Sequence, residues 1–280
     1  MKYGVIDIGS NSVRLLLNGK KVIRITQLSE GLMLTGHLND AAMQRTSDAI
    51  KELYRFAKSS GADEVFAFAT EAVRSAENGH TFKKLLTDES IELDVIDALT
   101  ESRIGFLGAY TGGIKAALDV GGASSELAVG DEKGVFYSHS LPLGSVRLKD
   151  YSMDKNVLDS YIKSRVTEYG KVPPFEELIS IGGTSSSLAA IHLGLEPYDP
   201  EIIHNYKFYY DDLKNTVDRI FATPVGERKN IRGMHPKKTL ILPCGGLLIM
   251  GIMEYLNLEY IRLSERDNLE GYLALKGIKE

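Results

Sequence analysis

The sequence of 280 residues has a single cysteine, no excess of basic residues and no long apolar run free of polar interruption. With Cys244 alone, no intrachain disulfide can form, so a reducing compartment is expected. Its apolar setting between Leu240 and Met253 suits a buried, inert thiol better than a nucleophile. The six histidines are scattered without ligand spacing, which suggests no zinc site. Lys and Arg number 33 against 38 Asp and Glu, a net charge of −5, and a general nucleic-acid binder would be basic. No stretch has membrane-spanning character, and Lys2 leads at once into a strand pattern rather than a leader, so a cytoplasmic protein without a membrane partner is expected. What is present, 43% hydrophobic and 25% charged residues, is the composition of a globular chain, and its length favours two domains.

One pattern occurs twice. Asp7-Ile8-Gly9-Ser10-Asn11-Ser12-Val13-Arg14-Leu15 and Asp119-Val120-Gly121-Gly122-Ala123-Ser124-Ser125-Glu126-Leu127 share Asp, a β-branched residue, Gly, a small residue, Ser and Leu at the same offsets. Each lies between apolar runs and reads as a hairpin turn, with a third strand after Asn18-Gly19 or after Gly130 to Gly134. A lone turn of this kind is more often only a turn. Its recurrence in the same context favours function. Small residues at the bend let amides converge on phosphate, and the leading Asp7 and Asp119 suit a divalent cation that bridges to phosphate oxygens. Arg14 stands in one copy where Glu126 stands in the other, which suits an anion on one side and a metal or water on the other.

Along the rest of the chain, Asn39-Asp40 predicts the start of a helix with Met43, Ile50, Leu53, Phe56 and Ala57 on one stripe. The strand Glu64 to Thr70 runs into a helix start that carries Arg74, either a cleft residue or a solvated charge. A strand from Ile91 to Ile96 precedes a helix with Glu101 in its opening turn, where a carboxylate also complements the helix dipole. Leu141 to Leu148 reads as a strand end, turn and short loop. The strand Leu178 to Ile181 delivers Gly182-Gly183-Thr184 to a helix N-terminus, by itself a weak phosphate or nucleotide signal. Between Thr239 and Asn257, Pro243 and Gly245-Gly246 predict a kinked or divided helix. Alternating strands and helices predict two α/β domains of related topology, 1–113 and 114–280, with mixed sheets and a cleft between them.

The order of the motifs carries more. Asp7 to Leu15, Ala69-Thr70-Glu71-Ala72-Val73-Arg74-Ser75-Ala76-Glu77-Asn78, Glu101-Ser102-Arg103, Asp119 to Leu127, Leu141-Pro142-Leu143-Gly144-Ser145-Val146-Arg147-Leu148, Gly182 to Leu188 and Gly233-Met234-His235-Pro236 span nearly the whole chain. Together they resemble the exopolyphosphatase and guanosine pentaphosphate phosphohydrolase (Ppx/GppA) family of the actin-like, sugar-kinase and Hsp70 superfamily. The resemblance implies two actin-like (ribonuclease H-like) α/β domains with mixed five-stranded sheets facing an interdomain cleft. A terminal helix, about 267–280, would pack back on the first domain.

The resemblance also implies a hydrolase that removes the terminal phosphate from inorganic polyphosphate or guanosine pentaphosphate, with magnesium, or manganese in its place. Glu101 would accept the proton of the attacking water, and Arg74 would neutralise developing charge. Asp7, Asp119 and Glu126 would serve the metal. Gly9, Ser10, Asn11, Ser12 and Arg14, with Gly121, Gly122, Ala123, Ser124, Gly182, Gly183 and Thr184, would hold phosphate. A homodimer is expected from relatives and from the apolar C-terminal helices. Ala123 stands where the family has another glycine, Thr100 where an acidic residue is common, and Lys238 and Leu269 where arginines are expected. The helical region that builds a polyphosphate channel in longer relatives is missing, which favours short polyphosphate or a nucleotide as substrate. Two other classes compete: an ATP-dependent kinase of the superfamily, and a non-enzymatic sensor of an alarmone or polyphosphate.

Overall fold

The computed structural model describes residues 1–278. It opens with an antiparallel meander, β1 (Tyr3–Ile8), β2 (Ser12–Leu17) and β3 (Lys20–Ile25). There follow α1 (Leu32–Thr35), α2 (Asp40–Ser59), β4 (Glu64–Ala69), α3 (Glu71–Ser75), α4 (Gly79–Thr87) and the two-residue β5 (Asp94–Val95). The first sheet has the order β3-β2-β1-β4-β5, with β4 parallel to β1 and β5 parallel to β4. After α5 (Ala98–Ala109) the meander recurs as β6 (Lys115–Val120), β7 (Ser125–Asp131) and β8 (Gly134–Leu141). The chain continues through α6 (Ser145–Tyr151), α7 (Lys155–Val166), β9 (Glu177–Ile181), α8 (Gly183–Leu193), α9 (Pro200–Ile203) and β10 (Lys207–Tyr209). It closes with α10 (Tyr210–Ala222), α11 (Ile241–Tyr255), β11 (Tyr260–Leu263) and α12 (Asn268–Leu275).

Two mixed sheets flanked by helices are thus present, the α/β class expected. The second sheet has six strands rather than five, in the order β10-β11-β9-β6-β7-β8. The extra strand, β10, is three residues long and antiparallel to β11 at the sheet edge, too short to show an alternation in sequence. β1 and β6 lie inside their sheets and are almost wholly buried, as central strands flanked by a parallel neighbour require.

Several local expectations are corrected by packing. Asn39 caps α2 by accepting from the amides of Ala41 and Ala42, and Met43, Ile50, Leu53 and Ala57 are buried, but Phe56 is 48% exposed. Of the stretch from Ile91 to Ile96 only Asp94 and Val95 pair as strand. The segment after Gly144 is helix α6, not a loop. Helix α11 is continuous for 15 residues. Pro243 sits in its first turn, where the missing N–H costs no intrahelical bond. Gly245 and Gly246 serve close approach: a Cβ there would meet Thr184 Cγ2 at 2.6 Å and Val217 Cγ2 at 2.4 Å.

Helix α5 is wedged between the sheets. Its Ile104 packs with Val5, Leu16, Phe68 and the α12 residues Leu269, Tyr272 and Leu273, while Phe106 packs on Ala117 and Ala128. Tyr272 stacks on Phe68 with centroids 4.6 Å apart. A Cβ at Gly271 would fall 1.7 Å from the Ile104 carbonyl oxygen, so α12 lies backbone to backbone on α5. Residues 279 and 280 of the expected terminal helix lie outside the described residues. No helix among the described residues is long and apolar enough to cross a membrane.

Candidate active site

The repeated sequence is a repeated structure. In the first hairpin Asp7 pairs across the ladder with Arg14, and in the second Asp119 pairs with Glu126. Both turns close with the same bond, Gly9 N–H to Ser12 O and Gly121 N–H to Ser124 O, each 3.0 Å. Those two amides are spent on the turn and are not free for phosphate. The amides of Ser10, Asn11, Gly122 and Ala123 carry no hydrogen bond among the described residues. The loops face one another closely: a Cβ on Gly122 would lie 2.7 Å from Ser10 Cβ and 3.5 Å from the Asn11 nitrogen. Glycine is required there because the loops touch.

Between the sheets a cleft of about 750 Å3 is lined by both loops, by Glu101, Asp119 and Glu126, and by Gly182, Gly183 and Thr184. Ala190, Leu195, Tyr198 and Met234 give the same cleft an apolar portion. Ala123 and Arg74 are not among its lining residues: Ala123 is fully buried, and Arg74 is engaged by Glu71 and Glu101. Thr184 donates through its hydroxyl to Val120 O at 2.7 Å, and Gly182 adopts φ +82°, where a side chain would collide with Asp119 Oδ1 at 2.6 Å.

Helix α5 presents Glu101 to the cleft. Asp97 caps the helix by accepting from the Thr100 amide at 2.7 Å, and Glu101, one residue on, is 6% exposed. Arg74 at the end of α3 donates to Glu101 Oε2 at 2.9 Å and to Ile96 O at 2.7 Å. Burial pushes the Glu101 carboxyl well above the usual range, the Glu126 carboxylate adds to this, and Arg74 opposes it. Burial likewise raises Asp119 to about 8, with Glu126 contributing. It raises Glu126 to about 7 against hydrogen bonds from Ser140 and Ser124.

Arg14 has another partner than phosphate. It is held by Asp7 and, at 2.6 Å, by Asp267 of the segment leading into α12. Burial would lower its pKa, but Asp267 and Asp7 keep it raised. Lys21 joins the group at 3.1 Å from Asp267 and 3.0 Å from Glu270, and Asn268 donates to Asp119 Oδ2 at 3.1 Å. Asp267, Asn268, Lys21 and Glu270 were not singled out by sequence reasoning. The one available signal was Asp267 with Glu270 three residues on, a capping box that opens α12. Lys238 also reaches the cleft, bound to Gly183 O at 3.1 Å and Ser187 Oγ at 2.9 Å, with burial lowering its pKa to about 8.

Among the described residues, Asp7 Oδ1 is buried with no hydrogen-bond partner, and the raised Asp119 and Glu126 carboxyls lack a direct cation. A hard cation held by one or two of these carboxylates would offset the cost of their burial. Among the described residues no group of three acidic, His or Cys side chains could hold a metal ion by itself. The residues therefore fit a magnesium-type ion that takes one or two carboxylates and completes its shell with water and phosphate oxygens.

The model of the Ppx/GppA phosphatase family matches residues 6–276. A bifunctional 3-dehydroquinate synthase/phosphatase of Fusobacterium nucleatum is 27% identical over 98% of this chain, which spans 46% of that protein. Exopolyphosphatase 2 of Mycobacterium tuberculosis is 24% identical, with 99% of each chain covered. Among solved structures, the Aquifex aeolicus Ppx/GppA family member superposes with a TM-score of 0.81 at 26% identity, covering 100% of this chain and 99% of its own. With a family-wide match over the two phosphate-type loops, the Glu101 helix and the closing helix, the chain belongs to the Ppx/GppA phosphatase family.

Proposed function

We propose that this protein hydrolyses the terminal phosphoanhydride of a polyphosphate or of guanosine pentaphosphate. The observation that carries the reading is the position of Glu101 in a cleft it shares with both loops, beside Asp119 and Glu126. Oε2 of Glu101 is engaged by Arg74, which leaves Oε1 to take a proton from water. The water oxygen forms the new bond to phosphorus, the bridging P–O bond breaks, and its electron pair leaves with the shortened chain. The amides of Ser10, Asn11 and Gly122, which line the cleft and carry no hydrogen bond among the described residues, are the donors for phosphate oxygens, and that of the buried Ala123 is not. One or two of the carboxylates of Asp7, Asp119 and Glu126 would hold magnesium, with phosphate oxygens and water completing its shell, and the ion would neutralise phosphate charge when bound. Arg74 acts on Glu101 rather than on phosphate.

Phosphate release from tripolyphosphate, guanosine pentaphosphate and ATP, with magnesium, tests this directly. Glu101→Gln should lower kcat by about 10²- to 10⁴-fold, the usual contribution of a positioned base. Undiminished release by that variant would remove Glu101 from the role. The apolar portion around Leu195, Tyr198 and Met234 favours the nucleotide, since a bare phosphate chain gains nothing from apolar contact.

A further inference from the structure

Behind the cleft, four charged side chains form a line from the second phosphate loop to Glu101. Helix α6 is bonded to that loop: the Ser145 amide donates to Gly121 O at 2.9 Å, and the Val146 and Arg147 amides to Gly122 O at 2.8 and 3.2 Å. A Cβ on Gly144 would fall 2.4 Å from the Gly122 carbonyl, so helix and loop move as one piece. From α6, Arg147 reaches the first unit, where its Nη2 donates to Glu71 Oε1 at 3.0 Å and to Ser75 Oγ at 3.4 Å. Glu71 Oε2 accepts from Arg74 Nη2 at 2.7 Å, and Arg74 Nη1 donates to Glu101 Oε2 at 2.9 Å. Arg147, Glu71 and Arg74 do not line the cleft, so none is placed to touch phosphate.

We propose that Arg147 is a positioning residue: through Glu71 and Arg74 it ties the orientation of the Glu101 carboxylate to the place of the second phosphate loop. The physical reason is the sharing of one cation. Glu71 divides its two oxygens between two arginines, and Arg74 divides its guanidinium between two carboxylates. Without Arg147, Glu71 keeps only Arg74, whose guanidinium is then drawn toward Glu71 and away from Glu101. All four side chains are largely shielded, so these attractions are weakly screened by salt. The proposal rests on Glu101 as the base.

The test measures kcat and KM for guanosine pentaphosphate and tripolyphosphate in the full chain, with melting temperatures to show that each variant folds. Arg147→Met should lower kcat about 10- to 100-fold, the effect of a catalytic group displaced by about 1 Å, and leave KM within about threefold. Arg147→Lys, which restores charge but not the fork, should recover most of the loss. In a Glu101→Gln background, Arg147→Met should cost nothing further, because the group it orients is gone. A normal kcat in Arg147→Met, a raised KM with unchanged kcat, or losses that multiply in the double variant would each overturn the proposal. An active Glu101→Gln single variant would instead overturn the base assignment on which it rests, so the two failures are distinguishable.

Discussion

Asp119 and Glu126 face each other across the β6–β7 ladder, Glu126 buried and Asp119 half-buried at the cleft, which makes the stability of the metal-free protein depend on pH in an unusual direction. Burial carries Asp119 from 3.8 to about 8 and Glu126 from 4.5 to about 7. A carboxyl whose folded pKa exceeds its unfolded one holds its proton more tightly in the native state. Stability is then lost as pH climbs from the unfolded value toward the folded one, here between about pH 4 and pH 8. For Asp119 the rise, about 8 less 3.8, is about 4 units, and at about 1.4 kcal/mol each this sets a ceiling of about 6 kcal/mol. If half of that is realised, melting falls by roughly 5–10 °C for a chain of this size. A bound divalent cation offsets the penalty by stabilising the carboxylates. Thermal unfolding in chelator should therefore drop between about pH 5 and pH 8, and magnesium should raise it at the higher pH and do little at the lower. Asp119→Asn, which keeps an oxygen for Asn268, should melt above the native chain at about pH 8 in chelator and lose most of the magnesium response. If the native chain and Asp119→Asn shift in parallel with pH, or if magnesium acts equally at both ends of the range, the reasoning fails.

Two further outcomes follow from single contacts. Arg74→Met removes the cation that lowers the Glu101 pKa, so the ascending limb of the kcat–pH profile should move to higher pH, and an unmoved limb would count against the pairing. Leu269 is fully buried among Val5, Phe68 and Ile104, and Leu269→Ala should destabilise by about 2–5 kcal/mol in denaturant unfolding. A loss below about 1 kcal/mol would mean that α12 is not anchored there.

How much of this was readable in the chain depends on the range of the interaction concerned. The two hairpins and their turn bonds were legible, because Asp-x-Gly and small residues between apolar runs act within nine positions. Helix α2 was legible to its cap, and the stripe failed only at Phe56, whose partner face is solvent. The partner of Arg14 was not legible: Asp267 stands 253 residues away, and nothing near Arg14 signals it. Arg74 was expected by likeness to neutralise developing charge, and its sharing between Glu71 and Glu101 could not be read from the chain. The glycines of α11 read as breaks because their use, admitting Thr184 and Val217, belongs to other helices.

The sequence alone determined most of the elements, the repeat and the chemical types at the cleft: acids at the ends of central strands, small residues at the turns, a carboxylate opening α5. Only the tertiary structure decided which charges meet. Burial raises or lowers each ionisable group according to what else is brought beside it, and that is set by how α5, α6 and α12 pack between and against the two sheets.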